Sequence, residues 1–219
     1  MFDTERSILT DAEIVARLIR GSIVITPLID PEQIGATSVD LRLGPEFAIL
    51  RRTYYGHLDF ARDQDTIRRD VQRYTQRIQV KALEPFVIHP GEFALGATLE
   101  FISLPNDLTG FLEGRSTWGR LGLQVHSTAS FVDPRFNGNL VFELQNVGKV
   151  PIELYAGLRI AQISFNRSSG SIQTYAVGRT QHYKGQLGPV GSKFYLDRDF
   201  ERINHLLKTR LPSPGKKGP

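Results

Sequence analysis

Residues 137–165, NGNLVFELQNVGKVPIELYAGLRIAQISF, contain the pattern that decides the fold. Large apolar side chains occupy every second position, as at Leu140, Phe142 and Leu144. The residues between them are smaller or polar, and glycine, proline and asparagine separate successive runs. Because a two-residue period places alternate side chains on opposite faces of a strand, this stretch predicts several short β-strands joined by turns.

The same alternation occurs upstream, in residues 39–43 and 93–101. Strands of this length, separated by Gly, Pro, Asn and Asp, are typical of an all-β sandwich or barrel. Few helical segments alternate with the strands, which disfavours a parallel sheet of βαβ units. The pattern therefore predicts a mainly β fold.

Two helices are predicted beside the strands. The first runs from Thr10 to Gly21, because Thr10 and Glu13 form a capping-box pattern and Gly21 is a typical helix stop. The second, weaker pattern covers residues 64–76 and is highly charged. We interpret it as a solvated excursion between strands in preference to a partner-binding helix.

The basic character of the chain is concentrated at its C-terminus. The 219 residues include 27 Lys and Arg against 23 Asp and Glu, a formal net charge of +4. Residues 208–219 carry four basic side chains and no acidic one, which accounts for the whole net charge. We therefore predict one domain over residues 1–207 followed by a disordered basic tail at 208–219. The neutral body argues against a nucleic-acid partner.

Several classes of protein are excluded by what the sequence lacks. It has no cysteine, hence no disulfide, no thiolate zinc site and no cysteine nucleophile. It has no apolar run long enough for a membrane span, and its first residues are polar and acidic, unlike a signal peptide. We expect a cytoplasmic protein without a membrane partner. The five histidines are isolated from one another, so no protein-bound metal is expected.

The densest group of reactive residue types lies at 114–148, where glycines frame Ser116 and Thr117 between Arg115 and Arg120. Backbone N–H groups, hydroxyls and guanidinium groups in such a turn can hold phosphate oxygens. The alternative is an ordinary surface turn with two solvated arginines, and the motif alone favours that alternative.

Two acidic residues in the same region also allow two interpretations. Glu143 lies mid-strand, opposite the apolar face, and is either a solvated glutamate or a rigidly held general base. Asp133 precedes a proline and either starts a turn or hydrogen-bonds a sugar hydroxyl. We interpret His126 as a residue satisfied within the core or a turn.

Taken together, the segments GRSTWGRLGL, HSTASFVDPRFNGNLVFELQN, AGLRIAQISF and YKGQLGPVGSK resemble the dCTP deaminases, which belong to one superfamily with the trimeric dUTPases. The upstream segments GATSVDLRLG and HPGEFALGATLEFISLP are also similar to that family. The resemblance runs in the family's order from about the first helix to Lys193.

The resemblance implies a distorted β-barrel or jelly-roll-like subunit, with a dUTPase-like fold and a short N-terminal helix. It implies a homotrimer with active sites between subunits, a dCTP substrate carrying Mg²⁺ on its triphosphate, and dTTP as a possible feedback ligand. Cytosine deamination elsewhere uses zinc held partly by cysteines. This chain has no cysteine, so we expect deamination without zinc.

The resemblance also assigns roles to individual residues. Glu143 falls on the general base, while Ser116 and Arg120 fall on residues that orient the attacking water. Asp133 falls on the acid that contacts the deoxyribose, and the backbone of Ala129 falls beside the water. The remaining positions implied to contact the nucleotide are Arg115, Thr117, Trp118, Gly119, Val141, Phe142, Gln162, Tyr175 and Gln186.

This chain departs from the family's pattern in three places. Trp118 replaces a usual leucine, and His182 replaces an expected phosphate-contacting lysine. Ser130 and Phe131 lie where the dUTP-releasing and dUMP-forming branches differ. Phe131 matches the dUMP-forming branch and Ser130 matches neither.

Four functions follow from the resemblance. We expect deamination of dCTP to dUTP and ammonia, slightly ahead of a bifunctional enzyme that forms dUMP and pyrophosphate. A non-catalytic regulatory homologue is disfavoured because Glu143, Ser116 and Arg120 are all retained. A plain dUTPase is disfavoured by the second arginine and by the deaminase-like ending GQLGPVGSK.

Overall fold

A computed structural model describes residues 8–51, 57, 59, 61–169 and 183–210. These residues form two compact units, one within 1–49 and 77–190 and the other within 50–76 and 191–219. The strands are β1 (Val24–Thr26), β2 (Ser38–Leu50), β3 (Thr75–Gln79), β4 (Phe86–Ile88), β5 (Phe93–Ser103), β6 (Leu108–Gly114), β7 (Leu123–Gln124), β8 (Phe131–Val132), β9 (Asn137–Asn146), β10 (Ile152–Leu154) and β11 (Arg159–Arg167). The helices are α1 (Asp11–Ile19), α2 (Gln64–Tyr74), α3 (Ser116–Gly119) and α4 (Arg198–Arg210).

The first unit is built on an antiparallel sheet whose main path runs β7-β9-β5-β2-β11-β6-β8. Strand β9 shows why the alternation forms a sheet: every second residue is buried, and those between are partly exposed. Leu140, Phe142 and Leu144 lie in the core on one face, and Glu143 lies on the other. The predicted mainly β fold is confirmed.

The N-terminal helix α1 is also confirmed. Thr10 is its N-cap, and the backbone N–H of Thr10 donates to the Glu13 carboxylate at 3.0 Å, completing the capping box. Gly21 follows the helix with φ of +69°, a conformation that costs glycine little. Ile14 is fully buried and packs this helix onto the core.

In the second unit the charged segment folds as helix α2, with Asp63 as its N-cap. The Gln64 side-chain amide donates to the Tyr195 carbonyl at 2.6 Å, in a 3₁₀ turn that precedes α4. Helix α4 was not predicted, although its apolar residues recur at helical spacing from Phe200 to Leu207. Its described residues run to Arg210, so residues 208–210 of the predicted tail lie in this helix; residues 211–219 lie outside the described part.

No helix in the described part of the chain is long and apolar enough to cross a membrane.

A buried carboxylate lies within the first unit. Glu100 is fully buried on β5 and accepts hydrogen bonds from the Arg42 backbone N–H at 2.9 Å and from the Gln33 amide at 3.1 Å. Burial raises the pKa of the Glu100 carboxyl, because these two hydrogen bonds and the nearby Arg42 charge only partly offset the loss of water. The folded protein therefore favours the ionised carboxylate less than water does.

We predict that Glu100→Gln becomes more stable relative to the parent as pH rises. A raised folded-state pKa contributes stability that is fully present below the unfolded value, near 4.5, and is lost as pH rises through the folded value. Glutamine resembles the neutral acid at every pH. Urea unfolding of both proteins from about pH 4.5 to 8 tests this, and a stability difference that does not change with pH would contradict it.

Candidate active site

The segment from Arg115 to Arg120 forms a tight turn between β6 and β7. Ser116–Gly119 is the four-residue helix α3, flanked by Arg115 and Arg120 as its caps. Ser116, Thr117 and Arg120 are exposed. The side chain of Arg120 makes no hydrogen bond or ion pair with any described residue. The turn therefore presents two hydroxyls and an uncompensated cation to solvent in the single chain.

Arg115 is held in a fixed position. Its Nε lies 3.3 Å from Asp40 Oδ1, and its Nη1 donates to the Arg159 carbonyl at 3.2 Å. Its backbone N–H donates to the Ile160 carbonyl at 3.0 Å. Among the described residues Nη2 has no partner, so one end of the guanidinium stays available to a ligand.

Trp118 adds a second anchor to the turn. Its indole Nε1 donates at 3.0 Å to the same Arg159 carbonyl that Arg115 contacts, and its ring packs against the edge of the core. A leucine, the residue that the resemblance leads us to expect at this position, has no such donor. The tryptophan at position 118 therefore connects the turn to β11 through a hydrogen bond.

Gln162 lies close to the arginine cluster. Its backbone pairs with Asp40 on β2 and with Glu113 on β6, and its side-chain oxygen accepts from the Ser38 hydroxyl at 3.1 Å. Asp40, Gln162 and Glu113 thus form a polar row across three strands, next to Arg115.

Glu143 occupies the face of β9 opposite the core. Its Oε2 accepts two backbone hydrogen bonds, from Ser127 N–H at 2.9 Å and from Thr128 N–H at 3.3 Å. Its Oε1 has no partner among the described residues. The carboxylate is thus held by one oxygen, and the other is available to a proton donor. Ala129 follows directly in this loop and is exposed.

Three further residues of interest lie between strands β7 and β9. Asp133 is exposed, and its carbonyl accepts from the Phe136 backbone N–H in the turn before β9. Phe131 is 58% exposed and contacts the Phe111 ring edge to face, with centroids 5.3 Å apart. His126 lies 3.3 Å from the Glu113 carboxylate.

Val141 and Phe142, which precede Glu143 on β9, have side chains on opposite faces of the strand. Val141 shares the partly exposed face of Glu143, whereas the Phe142 side chain is fully buried in the core. Phe142 can therefore meet a ligand on the Glu143 side only through its backbone.

Gln186 lies against the beginning of β9. It exchanges two hydrogen bonds with Asn139: its amide donates to the Asn139 carbonyl, and its carbonyl accepts from the Asn139 N–H. Gly138 is required here, because a Cβ at its φ of +140° would lie 2.6 Å from the Gln186 carbonyl oxygen. The side-chain oxygen of Gln186 is buried without a hydrogen-bond partner among the described residues.

The structure thus brings the predicted residues together in two groups rather than one. Arg115, Trp118 and Gln162 form the first, and Glu143, Val141 and the Ala129 loop form the second. In the described part of the chain no hydrogen bond or ion pair connects the 115–120 turn to Glu143. Tyr175 and His182 lie outside the described residues.

Three contributions were missed by sequence reasoning: Asp40, Arg159 and the backbone N–H groups of Ser127 and Thr128. Asp40 alternates with apolar residues on β2, where a polar residue normally faces solvent, so its pairing with Arg115 requires the sheet order. No group of three or more potential metal-ligating side chains was found among the described residues.

A family model described as dCTP deaminase-like matches residues 8–168. The chain is 44% identical to "dCTP deaminase, dUMP-forming" of Rhodococcus opacus over 194 residues, 87% of this chain and 97% of that protein. It is 41% identical to the protein of the same name from Methanosphaera stadtmanae over 203 residues, 90% of this chain and 98% of that one.

A third relative, named "dCTP deaminase", from Natronomonas pharaonis, is 42% identical over 195 residues, 88% of this chain and 97% of that protein. The crystal structure of the 2'-deoxycytidine 5'-triphosphate deaminase from Agrobacterium tumefaciens matches with a TM-score of 0.58 and 22% identity. That match covers 75% of this chain and 49% of the other, so it supports the fold alone. The family match and the near full-length relatives show that the chain belongs to the dCTP deaminase-like family.

Proposed function

We propose that this protein hydrolytically deaminates dCTP, with Glu143 as the general base. The observation that carries the proposal is the Glu143 carboxylate, held through Oε2 by Ser127 and Thr128 and unpartnered at Oε1 among the described residues. A general base must be fixed within hydrogen-bond distance of the proton it takes. The names of the relatives supply the substrate.

The chemistry requires water to attack C4 of the cytosine ring. Glu143 accepts a proton from that water as the new C–O bond forms, and passes it to the ring nitrogen N3. Glu143 then takes the proton of the new C4 hydroxyl and gives it to the amino group. The C4–N bond breaks, the amino group leaves as ammonia, and C4 becomes a carbonyl. The balance is dCTP plus water to dUTP plus ammonia.

Ser116 and Arg120 would orient the water and stabilise the negative charge that develops on it. Both are exposed in the single chain, and Arg120 has no internal partner among the described residues. Fixed donors aimed at developing charge are usually the largest contribution to such catalysis. The route proposed uses no zinc.

The triphosphate would lie against Arg115 and Thr117. A guanidinium with a free Nη2 and a hydroxyl match phosphate oxygens in charge and hydrogen-bonding capacity. Mg²⁺ would enter as part of the substrate, bound to its phosphate oxygens, as is common for nucleotide substrates. Asp133 and Gln186 would contact the sugar and the rest of the nucleotide, and dTTP would compete for the same position.

The product proposed is dUMP, not the dUTP favoured by the sequence alone. Relatives at 44% and 41% identity carry the words "dUMP-forming" in their names. In the second step a water attacks the α-phosphorus, and dUTP plus water gives dUMP plus pyrophosphate. Exposed Phe131, just before Asp133, is the residue that agrees with this branch.

The active form proposed is a homotrimer with sites shared between subunits. Two observations support it: the 115–120 turn makes no hydrogen bond or ion pair with Glu143 in the described part of one chain, and the exposed hydroxyls and cation of the turn remain available to a neighbour. A second subunit would complete the site by bringing one group against the other.

To identify the product, the purified protein is incubated with dCTP and Mg²⁺, and samples taken at successive times are separated by ion-exchange chromatography. We expect dUMP and pyrophosphate in equal amounts from the earliest samples, with no accumulation of free dUTP. If dUTP accumulates and persists, the protein deaminates dCTP but does not form dUMP. Unchanged dCTP would refute the proposed function.

A further inference from the structure

We propose that Asp40 is a positioning residue that orients Arg115 toward the triphosphate, an inference that rests on the proposed function. Asp40 lies on β2, outside every segment that carries the predicted chemistry. Its carboxylate is placed between two guanidinium groups, at 3.3 Å from Arg115 Nε and 3.6 Å from Arg159 Nη1. Its side chain is only 15% exposed.

The sheet order creates this arrangement. Asp40 pairs with Gln162 on β11, which pairs with Glu113 on β6, so the three lie in one row across adjacent strands. Arg115 follows Glu113 by two residues and therefore projects from the same face of this edge. Across about 10 Å, two interstrand spacings, an arginine can reach back to a carboxylate on β2.

An irregularity in β11 supplies the second restraint on Arg115. The pairing of β11 with β2 shifts between Arg159 and Ala161, which is typical of a β-bulge. The Arg159 carbonyl accepts from both Arg115 Nη1 and Trp118 Nε1. Asp40 and this carbonyl thus engage Nε and Nη1 of Arg115, and leave Nη2 without a partner among the described residues.

Asp40 has two opposing effects on the binding of a phosphate group. Its negative charge repels a nearby phosphate, whereas its ion pair with Arg115 holds a side chain that would otherwise sample many rotamers. A pre-organised guanidinium loses less entropy on binding, and its fixed donors match phosphate geometry. Asp40 shares Arg159 with Glu32, whose carboxylate lies 4.0 Å from Arg159 Nη2, so the carboxylate of Asp40 faces two guanidinium groups and neutralises neither alone. We infer that orientation is the stronger effect.

The test is Asp40→Asn, which keeps the volume of the side chain and removes its charge. We expect KM for dCTP to rise about tenfold while kcat stays within about twofold, the pattern of lost binding that is equal in ground and transition states. Asp107→Asn is the matched control, since Asp107 pairs with Arg17 at 2.7 Å away from the turn. Its KM should not change.

A double-mutant cycle separates positioning from a general structural effect. In an Arg115→Ala background, Asp40→Asn should change kcat/KM by less than about twofold, because its effect passes through Arg115. An additive effect of the two substitutions would overturn the inference, as would an unchanged or lowered KM in Asp40→Asn alone.

The remaining outcomes are also decisive. If Asp40→Asn does not fold, Asp40→Glu takes its place and should show a smaller rise in KM, because it keeps the charge but displaces it. If neither variant folds, Asp40 is structural and the inference is wrong. A parent protein that releases no ammonia from dCTP refutes the proposed function, whereas an active parent with an unaffected Asp40→Asn variant refutes the inference alone.

Discussion

Replacing Glu143 with glutamine is expected to lower kcat by about three orders of magnitude, within the range that general acid–base catalysis contributes. Glutamine keeps the length of the side chain, and its carbonyl oxygen can still accept from Ser127 and Thr128. It cannot take the proton of the attacking water. The loss should therefore fall on turnover, and dCTP should still bind.

Steady-state ammonia release and calorimetric titration with dCTP measure these two quantities separately. The matched control is Glu153→Gln on β10, where an exposed glutamate accepts a hydrogen bond from the Tyr155 hydroxyl at 2.7 Å. Its kcat should stay within about twofold of the parent, as is usual for a surface substitution away from the site. Near-normal turnover in Glu143→Gln would refute the mechanism.

The second large effect is expected from mixing two inactive proteins. Arg120→Ala lacks the proposed water-orienting cation, and Glu143→Gln lacks the base. If each site takes Arg120 from one subunit and Glu143 from its neighbour, random exchange at equal amounts leaves about one quarter of the sites intact, as closed cyclic symmetry requires. Activity should therefore recover to about a quarter of the parent value.

Subunit exchange is verified by mass spectrometry of differently tagged chains before activity is measured. The double variant Arg120→Ala, Glu143→Gln, exchanged with either single variant, is the control and should remain inactive. No recovery in a mixture that has demonstrably exchanged would show that both residues of a site come from one chain. A fully active monomer by light scattering would contradict the trimer.

Local patterns were sufficient to predict the mainly β fold. In β9 the period of two matches the burial of Leu140, Phe142 and Leu144, and at α1 the Thr10–Glu13 pair forms its capping box. Helix α4 was not predicted, although its apolar residues follow helical spacing and could have indicated it.

The site was less predictable because its contacts are non-local. Glu143 could be singled out as a strand glutamate opposite the core, but its restraint by Ser127 and Thr128 depends on how the preceding loop returns to β9. Asp40 and Arg115 are brought together only by the order β2-β11-β6. The hydrogen bond from Trp118 to the Arg159 carbonyl likewise joins distant residues, at the register shift in β11.

The most direct test of the account is the ammonia released from dCTP by the purified protein with Mg²⁺ as the only added metal. The account predicts one ammonia for each dCTP consumed, at a rate about three orders of magnitude above that of Glu143→Gln, the contribution expected of a general base. Release of ammonia no faster than in Glu143→Gln, or release that requires added zinc, would contradict it.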